Sequence, residues 1–264
     1  MGWGDKPTEK PLPPKKQPQP PAVQQENALD VPDYVKPMTS EPAIDNEDIV
    51  VPRLKLIQEK SDEINNDMGY KAGDIINPAS GENLGPQVDF VPILFQKMAI
   101  QWKPRASGGG IADICNNIMA LAPFSNNGVD MNKVNWAQEM EVSNDKNNKD
   151  KNYWAKVYNF LIITESNPSP VILSMSRTKI KAAKKLLGFW QNFKDKKTMR
   201  PYPLYTFTYR LETFEDNKSG FAFWNYDINR LALTPKEIYA SMDIYAQGVK
   251  GKDIKVDEDI EHEE

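Results

Sequence analysis

One cysteine, one histidine and no long apolar run: these are what the 264-residue chain has least of, and each shortage excludes something. A single thiol, Cys115, cannot close a disulfide within the chain and suits a reducing compartment. One Cys and one His (His262, near the end of the sequence) exclude Cys/His zinc clusters and most histidine-based catalysis. No stretch approaches the roughly 20 apolar residues of a membrane helix. The opening MGWGDKPTEK has no apolar core of a secretory leader. The expectation is a soluble, cytoplasmic protein. Recognisable catalytic patterns are missing too. There is no Gly-x-Ser-x-Gly elbow, no His-Glu-x-x-His and no dinucleotide fingerprint. KPRASGGG (103–110) is basic and glycine-rich, but no Gly-Lys-Ser/Thr follows it. The chain reads as a non-enzyme without cofactor or metal.

What is present is unevenly distributed. Ten of the 21 prolines fall in the first 42 residues, among Gln and Lys. Such a segment buries too little apolar surface to offset its ordering entropy, so 1–47 reads as a disordered arm with polyproline character. The last twelve residues, DIKVDEDIEHEE, hold seven acids against one lysine and read as a disordered acidic tail (252–264). Between them, residues 48–251 are enough for one domain with a substantial core.

That domain reads as mainly β with a few helices. IVVPRLKLIQ (49–58) alternates, with Leu54 and Leu56 on one side. AGDIINPASGENLG (72–85) holds a short strand and a turn. VDFVPILFQKMAIQW (88–102) is a long strand in which Pro92 implies an edge position or a bulge. IADICNNIMALAP (111–123) suggests a short helix. The Asn/Asp/Lys-rich stretch 126–152 suggests an exposed loop with one strand near Trp136. NYWAKVYNFLIITE (152–165) puts Trp154, Lys156, Tyr158 and Phe160 on one face, and PVILSMS (170–176) is its partner. PLYTFTYRLETF (203–214), the turn EDNKSG and FAFWNYDI (221–228) read as an aromatic hairpin. TPKEIYASMDIYAQGVKG (234–251) reads as a helix capped by Thr234.

The strongest feature is RTKIKAAKKLLGFWQNFKDKKTMR (177–200), with nine Lys/Arg against one acid in a chain of net charge -4. Its first part suits a helix (177–192) with Ser176 as N-cap. A local excess of cations in an acidic chain points to phosphate. Rings within and beside the run supply surfaces on which bases can stack, the combination that holds single-stranded nucleic acid. The expected phosphate contacts are Arg177, Lys179, Lys181, Lys184, Lys185 and Arg210, with Lys103 and Arg105 from the glycine-rich loop. The expected stacking residues are Trp102, Trp154, Tyr158 and Trp224.

The order of these pieces, VILSMSRTKIKAAKKL, then PLYTFTYRLETFEDNKSGFAFWNYDI, a short helix and an acidic end, resembles phage-encoded single-stranded-DNA-binding proteins of the OB-fold type. VPRLKLIQ, AGDIIN…GENLG and VDFVPILFQK resemble the openings of such proteins. The resemblance spans about 49–264 and implies an OB-like five-stranded barrel with added helices. It implies stoichiometric coating of single-stranded DNA in phage replication or recombination, inside the infected bacterial cell. The acidic tail would compete for the DNA groove or recruit replication or recombination proteins. This tail departs from the resemblance by ending His-Glu-Glu rather than with an aromatic. Two rivals stand beside this reading: a virion structural or assembly protein, and a metal-dependent nuclease or recombination enzyme.

Overall fold

The structure, a computed structural model, describes residues 51–65, 68–117, 125–126, 129–145, 147–218 and 221–248. All of them belong to one compact unit spanning Asn46–Glu264. The proline-rich arm and the acidic tail lie outside the described residues.

Eleven strands and four helices are present among the described residues. The main sheet is organised on the longest strand, β4 (Gln87–Trp102), and on β8 (Tyr153–Thr164), which pairs with it antiparallel along nearly its whole length. Both are rich in β-branched and aromatic residues and are mostly buried, as central strands should be. On the far side of β8 lies β9 (Val171–Ser176). The other edge of β4 is shared. β10 (Phe207–Lys218) pairs with Gln87–Phe90 and β5 (Ile111–Asn117) with Lys97–Trp102. A long hairpin adds β11 (Phe221–Leu233) to β10. The resulting order is β11-β10-β4-β8-β9, with β5 beside β4.

A small second sheet holds β1 (Lys55–Leu56), β2 (Ile75–Asn77) and β3 (Glu82–Gly85), and a two-stranded ribbon holds β6 (Ser125–Asn126) and β7 (Val129–Asp130). Residues 52–58 tie the two end strands of the main sheet. The Leu54 N–H donates to the Ile172 carbonyl on β9 and the Ile172 N–H to that of Pro52, both at 2.8 Å. The Gln58 side chain brackets Trp224 on β11, accepting from its N–H at 2.8 Å and donating to its carbonyl at 3.0 Å. This link is made by a crossing segment and not by β9 pairing with β11, so the expected five-stranded barrel is replaced by an open six-stranded sheet.

Helices cover both faces. One face carries Phe90, Phe160, Ile162, Leu173, Tyr209 and Ile228, which pack with Leu54, Leu56 and Ile75 and with Ala182, Ala183 and Leu186 of α3 (Ile180–Asn192). The alternate residues Val91, Ile93, Leu161 and Ile163 form a second cluster with Tyr205 and Met242, the latter on α4 (Lys236–Gly248). The two-residue strand period thus sorts one sequence into two cores. The remaining helices are the one-turn α1 (Asp62–Asn65) and α2 (Trp136–Asn144), which packs on β8.

Several local expectations are corrected. Residues 111–117 are strand β5 and not helix, because the edge of β4 beside Lys97–Trp102 needs a partner and a β-compatible run supplies it. The stretch around Trp136 is helix α2. The Asn135 side chain accepts from the Gln138 N–H at 3.4 Å and caps it, and the Trp154 N–H donates to Glu139 at 2.6 Å and pins it to β8. Pro92, by contrast, is at a bulge as expected: the register of β4 against β8 shifts between Pro92 and Leu94. Ser176 makes no capping bond; a 3-10 turn over Arg177–Lys179 precedes α3. The buried Thr234 hydroxyl has no hydrogen-bond partner, so it does not cap α4. Residues 215–218, expected in a turn, extend β10.

Candidate nucleic-acid interface

Helix α3 follows from its residues. Ala, Leu and Lys are strong helix formers, and no proline interrupts IKAAKKLLGFWQN. Ala182, Ala183 and Leu186 are buried, with Ile180, Leu187, Phe189 and Trp190 packed at the margin of the same core. That fixes the rotation of the helix. Lys181 and Lys184 are left exposed, with Lys185 half-buried beside them.

These three lysines line one side of an open groove of about 980 Å³. The β10–β11 hairpin lines the other, presenting Glu212, Asp216 and Asp227. The walls touch at one point. The Lys185 ammonium donates to both Asp227 carboxylate oxygens at 2.8 and 3.0 Å and to Asn229 at 3.0 Å. Burial opposes ionisation of Asp227, but its bonds from Lys185 outweigh that and hold its pKa below the ordinary carboxylate value. No described carboxylate pairs with Lys181 or Lys184.

The other expected phosphate contacts are scattered. Lys179 is 5% exposed, its ammonium 5.2 Å from the centre of the Tyr226 ring. Arg210 makes a two-pronged bond to Asp89 on the neighbouring strand at 2.7 and 2.9 Å, and this bond keeps its pKa above the usual guanidinium value. Arg177 is exposed. Its backbone is held at φ 48°, and its guanidinium donates to Ser143 at 3.3 Å and to the Tyr153 hydroxyl at 3.5 Å. Lys103 is exposed at the base of the glycine-rich loop, where Gly108, Gly109 and Gly110 all have positive φ that other residues rarely adopt. Arg105 begins a 3-10 turn there, and its side chain lies outside the described residues.

The stacking candidates are mostly enclosed. Trp102 (7% exposed) belongs to a cluster with Met98, Ile100 and Tyr153. Tyr158 (8% exposed) meets Phe95 edge-on at 5.5 Å. Trp154 is half-buried against Ala99, Cys115 and Met131. The half-buried Trp224 lies flat against Gly73, where an added Cβ would sit 2.6 Å from the ring. Rings in these positions complete cores and offer little open face to a base, the ordinary fate of large aromatics.

Two cations escaped the sequence reading. Lys97 on β4 and Lys156 on β8 lie on the same sheet face as diagonal neighbours, since Lys97 pairs with Tyr158 and Ala99 with Lys156. The Lys156 ammonium stands 4.2 Å from the centre of the Trp136 ring on α2. Burial first, then the charges of Lys97 and Lys184, push its pKa down from 10.5 to about 8. Burial also lowers that of Lys97. The signal available in the sequence was a lysine on the aromatic face of 152–165.

Among the described residues no group of three or more His, Cys, Asp or Glu is placed to hold a metal ion, and no helix is long and apolar enough to cross a membrane. Fold and site together define an α+β protein, mainly β, in which an open sheet carries a helix with a lysine-faced groove. The chain belongs to a bacteriophage family, described as Pam3 phage gp34-like protein, whose model matches residues 24–255. Searches of curated proteins and of solved structures found no match.

Proposed function

We propose that this phage protein binds single-stranded DNA without sequence preference and coats it during phage replication or recombination, without catalysing a reaction. The observation that carries the reading is the outer surface of α3. Lys181 and Lys184 are exposed on one wall of an open groove, with no described carboxylate paired to either. Cations so placed neutralise phosphates with release of counterions, and the affinity gained is independent of sequence. The buried rings shift the balance of the mechanism from stacking toward phosphate neutralisation. The OB-type kinship is likewise carried by the order of sequence elements and the groove, since the main sheet is open. Replication or recombination proteins recruited through the acidic tail are part of the proposal.

Anisotropy of labelled oligo(dT) tests it. The reading expects saturable binding whose log affinity falls linearly with log salt, and intact oligonucleotide after incubation with Mg²⁺. Absence of binding at about 50 mM salt, or cleavage of the strand, overturns it.

A second reading, a virion assembly protein, is favoured by one observation. Leu231, Leu233, Ile238, Ile244 and Tyr245 are exposed apolar side chains on the end of β11 and on α4. Light scattering separates the two, since an assembly protein grows into large particles whether or not DNA is present.

A further inference from the structure

The groove uses only the first half of the basic run. The second half, 194–200, holds Lys194, Lys196, Lys197 and Arg200 against one acid, Asp195. It folds into a closed turn just beyond the C-terminus of α3. Lys194 bridges to Pro201, the Asp195 N–H donates to the Arg200 carbonyl at 2.9 Å, and the Met199 N–H donates to the Asp195 carbonyl at 2.9 Å. The Trp190 indole N–H donates to the Tyr202 carbonyl at 2.7 Å and ties the turn to the helix. The Asp195 carboxylate is spent on the turn itself. It accepts from the Thr198 N–H at 2.7 Å, from the Lys197 N–H at 3.1 Å and from the Tyr202 hydroxyl at 3.3 Å. These bonds, that of Thr198 first, hold its pKa below the ordinary carboxylate value. All four cations are exposed, and no described carboxylate pairs with any of them.

Two further observations say what these cations face. Tyr202, at the base of the turn, is 39% exposed although its ring packs on Phe193 with centroids 5.0 Å apart. It is an open ring beside cations, which the enclosed Trp102 and Tyr158 are not. The outer side of α3 also joins the turn to the groove. Lys181, Lys184, Gly188 and Gln191 follow helical spacing and share one face. The three with side chains are exposed, and a Cβ added at Gly188 would meet nothing within 4 Å. No acid occurs between Ser176 and Lys194 to interrupt this path.

We propose that the 194–200 turn is a second contact for single-stranded nucleic acid, its cations taking backbone phosphates and Tyr202 taking a base. The strand leaves the groove along the outer side of α3, away from the hairpin acids Glu212 and Asp216. From Lys181 to Asn192 the helix rises about 16 Å, the length of roughly five stacked nucleotides. The proposal rests on the single-strand reading for its ligand.

The test is anisotropy of labelled oligo(dT) longer than that span, with the full-length protein and two paired variants. One is Lys196→Gln with Lys197→Gln in the turn. The control is Lys149→Gln with Lys151→Gln, exposed cations on the loop before β8. The turn pair should bind roughly 20-fold more weakly at about 0.1 M salt, with about 1.4 off the salt slope, and the control within about twofold of wild type. Irradiation of the wild-type complex with an oligonucleotide carrying 5-iododeoxyuridine should cross-link Tyr202, a readout that needs no variant. If wild type binds oligo(dT), the two pairs behave alike and Tyr202 is not cross-linked, the second contact is overturned and the coating function stands. If the turn pair loses affinity for polyglutamate but not for oligo(dT), the turn docks an acidic peptide and the proposal is again overturned. If wild type binds no oligo(dT), the coating function and the second contact both fall.

Discussion

The two walls of the groove carry opposite charge, and the contrast between them separates what a charge run promises from what it delivers. On the α3 wall, Lys181 and Lys184 are exposed and unmatched by any described acid. Lys185, next in sequence, is drawn across to Asp227 of the hairpin and joined to Asn229. On the hairpin, Arg210 shares the sheet face of Glu212 and Asp227 and is held by Asp89 of β4. Cations fixed to carboxylates hold strands and helix together, and a phosphate would have to displace the acid to reach them. Residues with the same charge thus do two jobs, and only their partners tell which.

The largest effect is expected where a cation is structural. Asp89→Asn or Arg210→Met removes one half of a two-pronged, partly buried pair and should lower stability by about 1.5–3 kcal/mol, the usual worth of hydrogen bonds to charged groups. Urea unfolding measures it. DNA affinity per folded molecule should not change, and a large loss of affinity would put Arg210 back among the DNA contacts. The converse holds for Lys181→Gln with Lys184→Gln. Surface changes of this kind leave stability within about 0.5 kcal/mol, but two lost phosphate contacts should weaken oligo(dT) binding roughly 20-fold at about 0.1 M salt.

Asp227→Asn should act in the opposite sense. It releases Lys185 and removes an acid from the hairpin wall, so affinity should rise roughly fivefold. The pair is about two-fifths exposed on either side, so stability should fall by only about 0.2–1 kcal/mol. Unchanged affinity would mean that strands do not pass that point of the groove.

A further effect concerns Lys156 and is read by pH. Its pKa is about 8 in the folded protein against 10.5 for an unburied lysine. Between those values the unfolded chain binds the proton and the folded protein does not, so this group makes stability rise as pH increases through the window. Relative to wild type, Lys156→Met should therefore be more stable near pH 7, with the difference fading toward pH 10. Melting temperatures at several pH values measure this. A variant equally destabilised at all pH values would show that the Trp136 contact outweighs the repulsion.

Much of this architecture was legible in the chain. The alternation of 152–165 and 170–176 gave β8 and β9 nearly to the residue, and the aromatic hairpin was visible because strand periodicity is a local property. Helix α2 was hidden because its Asn- and Asp-rich surroundings look like loop, and it buries no residue completely. Strand β5 was misread because a short apolar run fits either period, and only the unpaired edge of β4 decides. The barrel failed for a related reason, since closure depends on which distant strands pair. At the site, the helix and its exposed lysines could be read from spacing. The pairing of Lys185 with a residue 42 positions away, and of Arg210 with one 121 away, could not. Nor could the meeting of Lys97 and Lys156, which belong to different apolar strands and form no run.

Lysine acylation footprinting of the full-length protein, with and without saturating oligo(dT) and read by mass spectrometry, tests the central claim most directly. The account predicts that Lys181 and Lys184 react readily in the free protein and become protected on binding. Lys185, held by Asp227, should react slowly in both states. Lys181 and Lys184 remaining equally reactive with DNA bound would contradict it.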